Sequence, residues 1–292
     1  VSFPPRFWRR KITSGAENPE GAAQVRWLRR TEVVPSPNIW YYQADYELEN
    51  RAQDSGGEIW RVLREEGDWA GRDVLDVGCG DGFHLPYFAR DARSVLGVEP
   101  HQPLVRSALK RVEGLSNVDV KMGRAQRLPV RSASVDVVHA RTAYFFGPGC
   151  EPGLAEAERV LRPGGVLLIV DLDVTSEPYG RWMRADLPHY DAAAVERFFA
   201  RAGFSCRRVA TEWRFETAAD LEAVLKIEFS KPVAEQAIAE SLQRNGNRVQ
   251  DLTLPVGYRV HARVKPTGLV LPGHSAASSG AEDSSSSSPR IP

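Results

Sequence analysis

Cysteine is scarce in this 292-residue chain: Cys79, Cys150 and Cys206 stand far apart and form no CxxC pair. That spacing argues against a disulfide framework and a zinc site, and it suits a reducing compartment. No apolar run approaches the roughly 20 residues that a membrane span requires. The opening VSFPPRFWRRKITSG lacks the apolar stretch of a secretory leader. An excess of either charge is missing too, since 38 basic side chains balance 38 acidic ones. A polyanion is therefore not expected as the main partner. The basic residues are almost all arginine, which together with abundant Ala, Gly and Pro reads as genomic base composition. No internal repeat is present. The expectation is a soluble, cytoplasmic protein, monomer or homodimer, without membrane or nucleic-acid partners. The length suffices to bury a sizeable core.

What the chain does have is Val74-Leu75-Asp76-Val77-Gly78-Cys79-Gly80-Asp81-Gly82. A short apolar run ends at an acid, and glycines follow at alternate positions. Such a strand-to-helix turn is expected to leave bare backbone N–H groups at the strand's carboxyl end, where nucleotide-like ligands bind. Dinucleotide sites use G-x-G-x-x-G, which requires a third glycine at position 83. That position is Phe83, and the third glycine comes one residue early. The segment resembles motif I of the Rossmann-like (class I) S-adenosylmethionine (SAM) dependent methyltransferases, in particular their type-11-like small-molecule family. Their ligand carries an amino acid and no phosphate.

Between residues 38 and 266, apolar strands alternate with amphipathic helices, as in a doubly wound α/β sheet. Strands are expected at 73–77, 94–99, 118–122, 135–140, 166–171, 204–214 and 255–264. Helices are expected at 57–67, 82–90, 102–113, 153–161, 191–202, 218–228 and 232–243. Arg162-Pro163-Gly164-Gly165 reads as a turn that ends a helix and reverses the chain. The resemblance implies a seven-stranded sheet in the order 3-2-1-4-5-7-6, with strand seven antiparallel. Residues 1–37 read as an N-terminal extension, partly disordered. Residues 267–292, ending in SSSSSPRIP, read as a disordered Ser-rich tail.

Further motifs agree with the first. Glu99 ends the second strand, 17 residues after Gly82, and an acid there can accept hydrogen bonds from both ribose hydroxyls. The resemblance gives that role to Glu99, with Pro100 beside it. Gly123-Arg124-Ala125-Gln126-Arg127-Leu128-Pro129-Val130 resembles the family's G-D-A-x-x-L-P-F segment, which lies over the adenine. Ala125 offers a backbone N–H there. Arg124 replaces an Asp that accepts from the adenine amino group, and Arg cannot accept, so recognition shifts to Gln126, to carbonyls or to stacking of the guanidinium. Leu128 packs. Ser134-Val135-Asp136-Val137-Val138-His139-Ala140-Arg141 resembles the family's fourth strand and brings His139, Ala140, Arg141 and Tyr144 to the ligand edge. His139 either touches ligand or packs beneath the loop. Asp76 either orients the loop or binds the SAM ammonium. Gly78, Cys79 and Gly80 contribute backbone, and His84 reads as a capping or surface residue.

Methyl transfer from a sulfonium is an in-line displacement whose donor is already activated, so alignment and water exclusion matter more than a dedicated base. A catalytic residue leaves little trace in such a sequence. Weak candidates are His139 and, in the stretch after strand five, Asp171, Asp173 and His189. A lid is expected from Asn38–Tyr46, with Tyr42 and Tyr46 sharing a helix face; the alternative is that these aromatics cover the sheet edge. No metal site is expected. The reading is transfer of a methyl group to O, N or C of a small molecule. Rivals are a protein or RNA acceptor on the same fold, and a SAM or metabolite binder without turnover. Deleting residues 267–292 is expected to leave the melting temperature and SAM affinity unchanged; thermal denaturation and titration of the truncated chain check this.

Overall fold

The computed structural model describes residues 33, 36–143 and 147–268. The expectations for the N-terminal extension and the Ser-rich tail, and for Tyr144, fall almost wholly or wholly outside these residues. Seven strands form one sheet: β1 Asp73–Val77, β2 Ser94–Glu99, β3 Val118–Met122, β4 Val135–Arg141, β5 Leu161–Leu172, β6 Ser205–Thr217 and β7 Gln250–Val264. Their order is β3-β2-β1-β4-β5-β7-β6. The first five run parallel, and β7 is antiparallel to both β5 and β6. This is the expected architecture. The helices are α1 Pro37–Tyr41, α2 Gln43–Ala52, α3 Glu58–Glu66, α4 Leu85–Ala89, α5 Gln102–Arg111, α6 Glu151–Val160, α7 Tyr179–Asp186, α8 Ala192–Arg201, α9 Ala218–Glu228 and α10 Lys231–Arg244.

Strands β1, β4 and β5 are apolar on both faces because helices cover both. Val74, Leu75, Val137, Val138, Leu167, Leu168, Ile169 and Val170 are all buried. Ile59 and Leu63 of α3, Phe88 of α4, Phe199 of α8 and Leu225 of α9 complete the core. At the amino end of the strands Arg162 grips Asp73 and Asp136 at 2.9 and 2.8 Å. The acid of the fourth-strand motif is thus a clamp across β1, β4 and β5, far from the strands' carboxyl edge.

The structure differs from the expected elements in four places. The turn at Arg162–Gly165 does not reverse the chain. Leu161 pairs with Val135, the register slips at a bulge, and Val166 pairs with Val137; Gly164 N–H and Gly165 C=O bond to Lys265 across to the end of β7. Strands β6 and β7 extend well beyond 204–214 and 255–264, because each satisfies the other's backbone along nearly its whole length. The helix after the glycine turn begins only at Leu85, since Gly82 C=O accepts from Leu85 N–H in a tight turn. Finally, the stretch after strand five contains α7, whose Tyr179, Trp182 and Met183 are buried at helical spacing. Leu168→Ala, at the centre of β5, is expected to lower the unfolding free energy by about 2–5 kcal/mol, measured by urea denaturation.

Candidate active site

The carboxyl ends of β3, β2, β1 and β4 open onto one crevice, continuous with solvent. It runs from Gly123–Gln126 after β3, past Glu99 and Pro100, over Gly78–Asp81, to Arg141–Ala143 after β4. Ile39, Trp40, Tyr46, Asn50 and Gln53 of α1 and α2 form the outer wall, with the start of the next strand-to-helix turn below. Trp40 stacks on His101 at 4.2 Å between ring centroids, closing the rim beside Pro100.

The glycine loop has the backbone that its sequence demands. Gly78 and Gly80 take φ of +74° and +58°, where other residues are strained. A Cβ at Gly78 would also lie 2.8 Å from the Cβ of Ala143. The loop's donors, however, are not bare. Gly78 and Cys79 N–H both bond to Val98 C=O, and Gly82 N–H to Cys79 C=O. Gly80 N–H donates to Glu99 Oε2 at 3.1 Å, while His101 N–H donates to Glu99 Oε1 at 2.9 Å. Four donors of the expected cluster are thus taken, those of Gly78, Cys79 and Gly80 by β2 and its terminal acid and that of Gly82 within the loop. A loop in that state offers no cradle for a diphosphate, and the carboxylates of Asp76, Asp81 and Glu99 along it would repel one. Asp81 is tied to Arg111 at 2.6 Å.

Glu99 is buried, and that burial, opposed by the two backbone donors, raises its carboxyl to about 7. Each carboxylate oxygen has a second lone pair left for a ligand hydroxyl. Asp76 is also buried and lines the crevice; its Oδ1 holds His139 Nδ1 at 2.8 Å. His139 and Ala140 are fully buried and do not line the crevice. His139 packs against Phe88 and Trp60 and orients Asp76 from below. Cys79 is buried, its thiol pushed far up by burial and by Asp76, so backbone is what it has to offer.

The two tyrosines part company. The helix breaks at Tyr42, which caps α1 and α2 with φ −128° and ψ 50°. Tyr42 is therefore 44% exposed and off the crevice, whereas Tyr46 lines it. The candidate bases after β5 lie elsewhere too. Arg141 pairs in register with Val170, so Asp171 faces the other side of the sheet. Asp171 is buried close to Arg259 and Tyr190, and Asp173 is engaged by Arg208 and Thr175. His189 is exposed in the connection between α7 and α8. None of the three lines the crevice.

Two features had no signal in the sequence. His84 is not a surface cap: it lines the crevice, and Arg141 Nη1 lies 3.3 Å from its Nε2. Burial and then the Arg141 charge hold His84 well below its usual range, so it is a neutral imidazole. Behind Tyr46, Glu49 of α2 meets Glu228 of α9. Burial, and then Glu228, hold the Glu49 carboxyl well above the ordinary range. Glu228 accepts from Tyr179 Oη at 2.6 Å and from Asn38, and Glu49 from Gln53 at 2.7 Å. This protonated acid pair latches the outer wall to α9. Both glutamates read as ordinary polar positions of amphipathic helices.

Comparison with known proteins follows the same line. A methyltransferase-domain family model matches residues 75–169. The matched stretch runs from β1 to β5, and the strand order with an antiparallel β7 is the class I, Rossmann-like methyltransferase fold. The chain is 36% identical over 180 residues to phthiotriol/phenolphthiotriol dimycocerosates methyltransferase 1 of Mycobacterium ulcerans, covering 59% of this chain and 61% of that one. It is 30% identical over 131 residues to the ubiquinone/menaquinone biosynthesis C-methyltransferase UbiE of Rubrivivax gelatinosus, covering 44% and 51%. In structure it resembles the YcgJ protein of Bacillus subtilis, with TM-score 0.51 at 19% identity, over 73% of this chain and all of that one. The chain thus spans less than two thirds of the length of these curated relatives.

The raised Glu99 has a stability consequence. Below its ordinary value of 4.5 the folded and unfolded chains both carry the proton. Between there and about 7 only the folded chain keeps it, so stability falls as pH rises through that window. The loss is roughly 3 kcal/mol. Glu99→Gln is expected to abolish it: urea unfolding of the two proteins at pH 4.5 and 7.5 should show the variant gaining on the wild type at the higher pH, and parallel behaviour would contradict the assignment.

Proposed function

We propose that this chain is a SAM-dependent methyltransferase acting on a small-molecule acceptor. The observation that carries the reading is the pair of buried carboxyl groups, Glu99 and Asp76, beside a glycine loop whose Gly78, Cys79, Gly80 and Gly82 N–H groups are already bonded within the protein. Two acids and no anion cradle suit a ligand with a diol and an ammonium, and oppose a diphosphate. The residues therefore fit SAM. Glu99 would take the ribose hydroxyls, Asp76 the ammonium, and Ala125 and Gln126 the adenine. Gly78 and Gly80 give close backbone approach, and Tyr46 covers the site. Bound there, SAM supplies a methyl group already activated by a sulfonium.

The chain's own contribution is placement and exclusion of water. Ile39, Trp40 and Phe83 give the crevice apolar walls, and the Glu49–Glu228 latch holds the helices that carry two of them. His84 stands neutral at the crevice wall with its Nε2 facing Arg141, so it shapes the cavity and serves poorly as a base. A small, largely apolar acceptor is supported by the relatives named methyltransferases of phthiotriol/phenolphthiotriol dimycocerosates and of ubiquinone/menaquinone biosynthesis. Among the described residues no helix is long and apolar enough to cross a membrane. The free thiols Cys79, Cys150 and Cys206 support work in a reducing compartment such as the cytoplasm.

Calorimetric titration is expected to give binding of S-adenosylhomocysteine and none of NAD; NAD binding, or binding of neither, ends this reading. Glu99→Ala should weaken S-adenosylhomocysteine by about 1.5–3 kcal/mol, the scale of hydrogen bonds to a charged group. Mass spectrometry after incubation with SAM and hydroxylated lipids or hydroquinones should reveal a gain of one methyl group.

A further inference from the structure

Arg141 is a charged side chain of the crevice to which the proposed function gives no role. It ends β4 and is nine-tenths buried. Its Nη1 meets His84 Nε2, and its guanidinium carbon lies 5.4 Å from the centre of the Tyr258 ring. Its Nη2 has no hydrogen-bond partner among the described residues, and no carboxylate of those residues pairs with it within 4.0 Å. Glu49 senses the Arg141 charge from behind Tyr46 but keeps its proton. A buried guanidinium with an unspent donor is costly. It is accounted for if an anionic group completes it.

The position of Arg141 says which group. Across the crevice the strand ends run β3, β2, β1, β4, so Glu99 and Arg141 sit on opposite flanks of the glycine loop, two strand spacings or about 10 Å apart. The other guanidinium lining the crevice, Arg124, is at the far, β3 end. His139 and Arg141 are two apart on one strand, and Asp76 pairs in register with His139, so all three side chains share one face of the sheet. Asp76 on β1 therefore stands between the ribose acid on β2 and Arg141 on β4, so a group suited to an ammonium and one suited to a carboxylate are neighbours, with Arg141 on the side away from Glu99. We propose that Arg141 is the receptor for the α-carboxylate of the donor's amino acid, and that with Asp76 it selects amino acid-bearing thioether nucleosides over those lacking the amino acid. This rests on the methyltransferase reading.

The test compares S-adenosylhomocysteine with 5′-methylthioadenosine, the same nucleoside thioether without the amino acid, on wild type, Arg141→Met and Arg141→Lys. Binding is read by calorimetry and folding by melting temperature. Arg141→Met should lose on the order of 10- to 100-fold in affinity for S-adenosylhomocysteine and nothing for 5′-methylthioadenosine, as expected for loss of a charge-assisted fork. Arg141→Lys keeps the charge without the fork, so a smaller loss confined to S-adenosylhomocysteine supports the assignment even if the Met variant does not fold. Equal losses on both ligands overturn it in favour of a structural role. Unchanged affinity for both, with a raised KM for the acceptor, overturns it in favour of an acceptor site. Failure of the wild type to bind either compound overturns the methyltransferase reading and this inference with it, whereas binding of both with discrimination intact in the Met variant overturns the inference alone.

Discussion

The site depends on one carboxyl group. Glu99 ends β2 and reaches sideways to Gly80 N–H, tying the strand end to the glycine loop of β1. With Val98 C=O taking two more loop donors, the neighbouring strand uses up the hydrogen-bonding capacity that a phosphate would otherwise find. The same burial that makes this contact strong in a low-dielectric setting keeps the carboxyl hungry for donors. A ligand with hydroxyl groups supplies them, and one with negative charge does not. The loop's capacity to receive an anion is thus set by the exchange of a few hydrogen bonds between adjacent strands.

Charge along the crevice is arranged around that constraint. Asp76 is steadied from beneath by His139, which packs among Phe88 and Trp60 and never reaches the crevice. Arg141 closes the opposite end from Glu99, against a neutral His84. The outer wall is held from outside by Glu49 and Glu228, which come from distant helices and whose carboxyls burial holds above the ordinary range. Asp76, Arg141 and Glu49 are thus each met by a second residue.

Much of the fold was legible. Strands β1, β2 and β3 fall where short apolar runs predict them, and β4 differs by one residue. The order of the sheet and the antiparallel β7 follow from a motif resemblance. Local chemistry also marked Gly78, Glu99 and the segment around Ala125 as crevice residues. It misplaced Tyr42, because a break between α1 and α2 leaves no sequence mark strong enough to distinguish one helix from two. It offered Asp171, Asp173 and His189 as bases from their nearness in sequence to the end of β5, whereas strand alternation turns Asp171 to the opposite face.

By itself the sequence determined the alternation of strand and helix, the left-handed turns that only glycine makes cheaply, and the acid at the end of β2. These are set by residue type within a few positions along the chain. Tertiary structure decided which donors of the loop remain free, that His84 lies beside Arg141, and that Glu49 and Glu228 meet in the interior although 179 residues apart. Those outcomes depend on which groups meet across the fold and on how much water they lose there, and neither quantity is written in any local stretch of sequence.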